Sequence, residues 1–200
     1  MLYTDFTAAT LNTYFGIVPE SVNLFSSCRP HQPSMALQQT LEKNMKQPMM
    51  AEKQKLEGIV TPILTDIWKQ YEVEIGVFTS RLMDIDVYKG LNGVCDFMIN
   101  KDSDSLFSFN PPIFLTGMVT KHDNLVQVVP QIAAQALGAQ LFNQQKGQPA
   151  KALYGCLTFG RSWLFVKLNS NQLLVDTEIY SLSNLPQLLG VLHQIIAEQT

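Results

Sequence analysis

Residues 111–124 read PPIFLTGMVTKHDN, and this stretch decides the fold. An apolar run leads into Gly117 and then into polar residues, which is typical of a buried strand that emerges into solvent. We predict a strand over 111–121. Side chains two apart in a strand share a face, so Val119 and Lys121 are expected to point the same way. An acid at position 119 would therefore stand beside the lysine.

Two strand candidates precede this stretch and a helix follows it. Residues 72–80 alternate apolar and polar side chains, and residues 83–89 are interpreted as their continuation or their partner strand. Residues 91–100 are more continuously apolar, as expected of a strand nearer the centre of a sheet. Residues 125–145 carry Ala, Leu and Gln at helical spacing, and Gly147 is a stop signal.

The remaining segments complete a mixed sheet with helices on its faces. Apolar residues at three- and four-residue spacing predict a long helix over 51–71, kinked at Pro62, which lacks a backbone donor. The segment between residues 121 and 152 is long enough for a right-handed crossover to a parallel strand. Three further strands and a terminal helix are predicted at 152–159, 162–168, 172–180 and 185–199. The predicted fold class is α/β.

Length and composition favour one globular domain. The chain has 200 residues, of which 46% are hydrophobic and 16% charged, enough to fill a substantial core. Residues 1–34 are rich in Ser and Pro without a sustained period, so we interpret them as an N-terminal arm that packs on the domain or on a partner. Residues 35–200 form the domain in this interpretation.

The charge balance excludes strong non-specific attraction to nucleic acid. The formal net charge is −3, so any binding to polyanions must be local. The densest basic cluster is interleaved with glutamates, which is typical of a solvated helix face. Its members are Lys43, Lys46, Lys53 and Lys55.

Cysteine usage and apolar run length favour a cytoplasmic protein without a membrane span. Cys28, Cys95 and Cys156 are an odd, widely spaced set with no C-x-x-C pair, so they are expected to be reduced, buried thiols. The longest apolar runs fall far short of the ~18 residues that cross a bilayer. No charged segment followed by an apolar one begins the chain.

Asp96 stands in the middle of the apolar strand GVCDFMI, and an unpaired buried charge is unfavourable. It therefore needs a cation, a lysine or several hydrogen-bond donors. One interpretation is an ion pair with Lys121 on a neighbouring strand, which would only stabilise the sheet. The other interpretation is a site that holds a metal ion.

Four segments, taken in order, resemble the PD-(D/E)XK nuclease superfamily in its restriction-endonuclease-like branch. They are LNGVCDFMI (91–99), PPIFLTGMVTKHDN (111–124), PQIAAQALGAQLFNQQKG (130–147) and ALYGCLTFGRSWLFVKL (152–168). In that branch an Asp-bearing strand leads into an E-x-K strand, then a Gln-bearing helix and a closing hairpin. The upstream AEKQKLEGIVTPIL is similar to the family's first helix. The resemblance implies an αβββαβ core followed by a C-terminal hairpin and helix.

The resemblance also implies roles for particular residues. Asp96 matches the metal-binding Asp, Lys121 the motif lysine, and Gln131 the helix Gln that helps to hold the active site or the substrate. Gln135 occupies a place where several relatives have Glu. Both glutamines are also compatible with ordinary exposed positions on the helix.

The implied metal ligands are fewer than the family pattern requires. Asp96, the Thr120 carbonyl and Glu57 would hold a weakly bound Mg²⁺ or Mn²⁺, with Glu52 as a less favoured first-helix acid. The E-x-K acid belongs at position 119, where this chain has Val119. Hard divalent ions are held by carboxylate oxygens, so this replacement removes a principal ligand. Asp123 is a weak candidate for a migrated acid, because HDNL resembles a turn into a helix.

We therefore expect a catalytically inactive PD-(D/E)XK nuclease-like domain that acts in binding or interaction, without a cofactor or with a weakly bound ion. The expected partner is a protein or a second copy, with nucleic acid bound weakly. The alternative is an active Mg²⁺- or Mn²⁺-dependent DNA endonuclease that uses Asp96, Glu57 and Lys121.

Other residue types offer no second chemistry in the sequence. His31, His122 and His193 show no spacing typical of a metal site or a triad, and each is expected at the surface. Trp163 and Phe165 are expected in the core rather than as stacking platforms for bases.

Overall fold

The computed structural model describes residues 1–48, 51–101, 110–118 and 124–200. Seven strands form one mixed sheet, with the order β1-β7-β6-β5-β4-β3-β2. The strands are β1 (Pro19–Val22), β2 (Ile75–Leu82), β3 (Val94–Lys101), β4 (Pro112–Met118), β5 (Leu153–Thr158), β6 (Ser162–Asn169) and β7 (Gln172–Ser181). Helices cover both faces, so the predicted α/β class with a mixed sheet is confirmed.

The helices are α1 (Ala8–Phe15), α2 (Met35–Asn44), α3 (Glu52–Lys55), α4 (Thr61–Gln70), α5 (Leu125–Gln145) and α6 (Leu185–Gln199). A π-helical turn, Leu56–Val60, joins α3 to α4. Helices α1 and α5 pack on one face of the sheet, while α2, α4 and α6 pack on the other.

The strands β2, β3 and β4 form an antiparallel meander, and β5 lies parallel to β4. Helix α5 makes the connection between these two parallel strands, as the sequence predicts. The strands β5, β6 and β7 are again antiparallel neighbours. Every residue of β5 is buried, which explains why this central strand has a continuous apolar sequence.

The predicted kink at Pro62 takes the form of the π-helical turn before it. Pro62 has no N–H to donate to the Gly58 carbonyl one turn earlier. The side chain of Asn44 on α2 supplies the missing donor, with Nδ2 2.9 Å from the Gly58 oxygen. Thr61 donates from its backbone N–H and its hydroxyl to Leu56, so the chain remains helical through the turn.

One local prediction is wrong, and two elements were not predicted. Residues 83–89 form no strand: the chain turns after β2, with a single bridge between Asp86 and Leu91. Helix α2 was not predicted, although Ser34 caps it by accepting a hydrogen bond from Leu37 N–H at 3.1 Å. Strand β1 was not predicted either, because its sequence PESV has no apolar alternation.

Residues 1–34 pack closely on the rest of the chain. Tyr3, Phe6, Leu11 and Ile17 are buried in the core beneath α5, and Phe25 is buried in the opposite core. The Tyr3 hydroxyl donates to the Met83 carbonyl at 2.9 Å. Strand β1 pairs in parallel with β7 at one edge of the sheet.

Helix α5 is the one described helix that is long and apolar enough to cross a membrane by length and composition. Most of the apolar window is buried inside the protein, against the sheet. Such burial is typical of the core helix of a soluble protein.

Candidate functional site

The candidate site lies around Asp96, near the start of β3 and half buried. The next residue, Phe97, pairs with Thr116 of β4. The end of β4 that leads into residues 119–121 therefore lies beside Asp96. The preceding Cys95 is buried, and its burial together with the Asp96 carboxylate raises the pKa of the Cys95 thiol to about 12.

Glu52, at the start of α3, is an acid that interacts electrostatically with Asp96. Partial burial raises the pKa of the Glu52 carboxyl, and the negative charge of Asp96 raises it further. Lys55 one turn later acts in the opposite direction. Two carboxylates from different elements thus influence each other at this site, which is the arrangement that could contribute to a cation site.

Glu57, the acid preferred in the sequence analysis, interacts elsewhere. Its carboxylate lies 3.7 Å from the Lys53 ammonium, one helical turn away, and its side chain is 64% exposed. Glu57 therefore lies on a solvated helix face, which is the interpretation given above to the neighbouring basic cluster. The π-helical turn that contains Glu57 changes the rotation of the helix, which the sequence analysis did not foresee.

Replacement of Asp96 by asparagine is expected to lower the pKa of Glu52 toward the ordinary glutamate value. The substitution removes the negative charge that disfavours ionisation of Glu52, while its partial burial remains. The measurement is an NMR titration of the Glu52 carboxyl carbon. Glu57→Gln is the matched control and should leave this pKa unchanged. An unaltered Glu52 pKa in Asp96→Asn would show that the two acids do not interact.

The other predicted site residues of the E-x-K strand lie outside the described residues. These are Val119, Thr120, Lys121 and the weak candidate Asp123. The expectation that Thr120 and Lys121 complete the site therefore stays a prediction.

The two glutamines of α5 differ in burial. Gln131 is half buried, whereas Gln135 one turn later is only 7% exposed. The interpretation of Gln135 as an ordinary exposed residue is wrong. Its Oε1 is buried and has no hydrogen-bond partner within the described part of the chain. Residues one turn apart share a helix face, so Gln131 and Gln135 lie on the same side of α5.

The described residues alone supply too few donors for a tightly bound metal ion. Within residues 1–48, 51–101, 110–118 and 124–200, no group of three or more His, Cys, Asp and Glu side chains could hold one. Asp96 and Glu52 supply two carboxylates, and Mg²⁺ in protein sites relies on carboxylates together with waters or substrate phosphates. These two carboxylates would fit a weakly held ion.

The structure brings together two histidines that sequence analysis treated as separate surface residues. The His31 and His193 rings stack with their centroids 3.7 Å apart, and both are half buried. The expectation of isolated surface histidines is therefore wrong for this pair. No sequence signal could have found it, because the two residues lie at opposite ends of the chain.

The aromatic pair of β6 is buried as expected. Trp163 and Phe165 have no exposed surface, and the Trp163 indole donates to the Gly160 carbonyl at 2.9 Å. Neither side chain is available to stack on a nucleic acid base.

No protein-family model matches the chain, and no curated protein matches it significantly in sequence.

Proposed function

We propose that this chain is a catalytically inactive PD-(D/E)XK nuclease-like protein that acts in binding or interaction. The observation that carries the proposal is the electrostatic interaction of Glu52 with Asp96, which lies beside the end of β4, together with valine at position 119. The order β2, β3, β4, α5, β5 after a first helix is the order that the sequence resemblance implies. This agreement supports the proposal.

The chemistry of phosphodiester hydrolysis explains the expected loss of activity. A divalent ion orients the attacking water and offsets the charge that develops on the phosphate. Val119 supplies no oxygen ligand, so the ion would depend on two carboxylates and a backbone carbonyl. Each ~1.4 kcal/mol of lost transition-state stabilisation lowers the rate tenfold, so weak ion binding is enough to abolish measurable turnover.

Exposed apolar side chains at the sheet edge support an interaction role. Leu82 of β2 and Val94 of β3 are paired neighbours, 63% and 54% exposed. Tyr88 in the intervening turn is fully exposed. Apolar side chains that remain solvated near Asp96 favour a protein partner or self-association over a strongly charged ligand.

All three cysteines are free, which favours a cytoplasmic location.

Val119→Glu is expected to restore divalent-ion binding if the remaining pocket is intact. The new carboxylate would join Asp96 and Glu52, so Mn²⁺ should bind at least roughly tenfold more tightly than to the native chain. Calorimetric titration with MnCl₂ measures this difference. Val119→Gln is the matched control, because it has the size of glutamate without the charge.

Two outcomes would contradict the proposal. Absence of Mn²⁺ binding by Val119→Glu would show that the residue correspondence has no functional value. Mg²⁺- or Mn²⁺-dependent cleavage of single- or double-stranded DNA by the native chain, abolished in Asp96→Ala, would establish the alternative, an active endonuclease. We expect no cleavage from the native chain.

A further inference from the structure

The segment Cys28–Ser34, which we name the clasp, crosses the surface formed by α4 and α6. His31 N–H donates to the Pro186 carbonyl at 2.8 Å, and the Gln187 amide donates to the Cys28 carbonyl at 3.4 Å. Contact is closest at Gly190, where a Cβ atom would lie 2.2 Å from the Arg29 carbonyl oxygen. The clasp therefore depends on the absence of a side chain on α6 at this position.

The His31 ring of the clasp stacks on His193 of α6, with an interplanar angle of 33°. The Tyr71 hydroxyl at the end of α4 lies 3.1 Å from His193 Nδ1. His193 Nε2 is buried and has no hydrogen-bond partner among the described residues. The imidazole of His193 is thus enclosed by the clasp, α4 and its own helix, with one ring nitrogen unsatisfied.

A buried acid holds the other end of the clasp. Asp66 of α4 is only 7% exposed and accepts a hydrogen bond from the Ser34 hydroxyl. The same hydroxyl accepts from Leu37 N–H and so begins α2. The second Asp66 oxygen is buried without a partner in the described ranges. The clasp is therefore anchored at both ends by polar contacts in a partly buried setting.

We propose that the His31–His193 stack is a proton-operated latch, which holds the clasp on α6 while the His193 imidazole is neutral and releases it when His193 takes up a proton. Release would uncover the α6 surface around Gly190 and remove one wall of the cavity of about 370 Å³ that His31, His193, Tyr71 and Gln194 help to line. The proposal concerns a part of the molecule remote in sequence from Asp96, and it does not depend on the proposed function.

The charged and titratable groups around His193 act in opposite directions. Burial lowers the pKa of His193, and His31 lowers it further, whereas Asp66 raises it; the result is about 4. Tyr71 contributes its hydroxyl, Glu74 acts on Tyr71, and Arg29 of the clasp lines the same cavity as His193. The effects of burial and of the His31 ring on the pKa of His193 therefore outweigh the effect of the Asp66 carboxylate.

Proton linkage sets the direction of the switch. The released imidazole binds a proton with the ordinary pKa of about 6.5, whereas the latched imidazole resists protonation until about pH 4. The latched state is fully favoured above about pH 6.5, the pKa of the released imidazole, and it loses stability as the pH falls from there toward 4. Each pH unit in this interval shifts the opening equilibrium toward release by up to about tenfold.

Cys28 reports release of the clasp, and Cys95 and Cys156 report global unfolding. Cys28 is half buried within the clasp, whereas the other two thiols are fully buried in the core. A pyridyl disulfide reagent that remains reactive in acid would label each thiol, and mass spectrometry would separate the three sites. We expect labelling of Cys28, relative to the same site in His193→Phe, to rise at least about tenfold between pH 7 and pH 4.5.

Three variants distinguish the effect of protonating His193 from the effect of packing between the clasp and α6. His193→Phe retains an aromatic ring for the stack and cannot be protonated, so its Cys28 should stay protected throughout this range. His193→Asn is the second test if the phenylalanine is not accommodated, because its side chain can still accept from Tyr71. Gly190→Ala places a methyl group against the Arg29 carbonyl and should make Cys28 reactive already at pH 7.

Two results would overturn the latch. One is a Cys28 labelling profile that is the same in the native chain, His193→Phe and His193→Asn. The other is simultaneous labelling of Cys28, Cys95 and Cys156 at one pH, which would show acid unfolding of the whole protein rather than local release.

Discussion

A chain that lacks residues 1–34 is expected to lose its cooperative fold. The deletion removes five buried side chains, Tyr3, Phe6, Leu11, Ile17 and Phe25, and uncovers the surfaces on which they pack. At about 1.5–3 kcal/mol for each side chain, the lost burial is on the order of 10 kcal/mol, although the chain entropy released by the deletion offsets part of it. Total stability of a domain is only about 5–15 kcal/mol.

Urea denaturation and near-ultraviolet circular dichroism would measure this effect. The truncated chain should show no cooperative transition and should bind a hydrophobic dye, as expected of a compact state without fixed packing. The control is the full chain with Tyr14→Ser and Val18→Ser, since both side chains are 60% exposed and their replacement should change stability little. A cooperative transition in the truncated chain with the full-length midpoint would refute the expectation.

Phe165→Ala is expected to destabilise the protein by about 3–5 kcal/mol, because it leaves a cavity between the sheet and the helices. Phe165 has no exposed surface. Its ring lies 5.7 Å from that of Phe25, 5.4 Å from that of Tyr180 and 6.4 Å from that of Phe114, measured between centroids. These aromatic contacts add to the stabilisation that burial of the side chain provides.

The comparison with Phe165→Leu makes this prediction specific. Leucine fills most of the space, so we expect it to cost only about 1–2 kcal/mol. The measurement is the midpoint of urea denaturation. If the slope of the unfolding free energy against urea concentration stays unchanged, a shifted midpoint reports a change in stability rather than in the unfolded state. If Phe165→Ala left the midpoint unaltered, Phe165 would not be a core residue and a surface role for β6 would need to be considered.

Hydrophobic periodicity was sufficient to predict most of the fold. The apolar runs of β4 and β5 and the spacing in α5 describe elements whose burial is almost complete, so pattern and structure agree closely there. Strand β1 could not be predicted, because its short polar sequence is held by parallel pairing with β7 from the other end of the chain. Residues 83–89 resemble a strand locally, but a turn at 87–90 limits their pairing with residues 91–93 to a few hydrogen bonds and the Asp86–Leu91 bridge.

The candidate site was predictable only in part. Asp96 stood out as a carboxylate within an apolar strand, whereas the role of position 119 rests on the proposed family resemblance. The choice between Glu52 and Glu57 was beyond sequence analysis, because Glu57 lies within a π-helical turn that local patterns do not predict. The burial of Gln135 likewise depends on how α5 is rotated against the sheet.

By itself, the sequence determined the α/β class, the order of the central elements and the placement of Asp96 within an apolar strand. These properties follow from local patterns of apolar residues and from residue identity. Only the tertiary structure decided that Glu52 interacts with Asp96, that residues 1–34 fill both cores, and that His31 stacks on His193. Each of these depends on the rotation of a helix or on contact between distant segments, and the free energy of such contacts arises from burial that no single segment specifies.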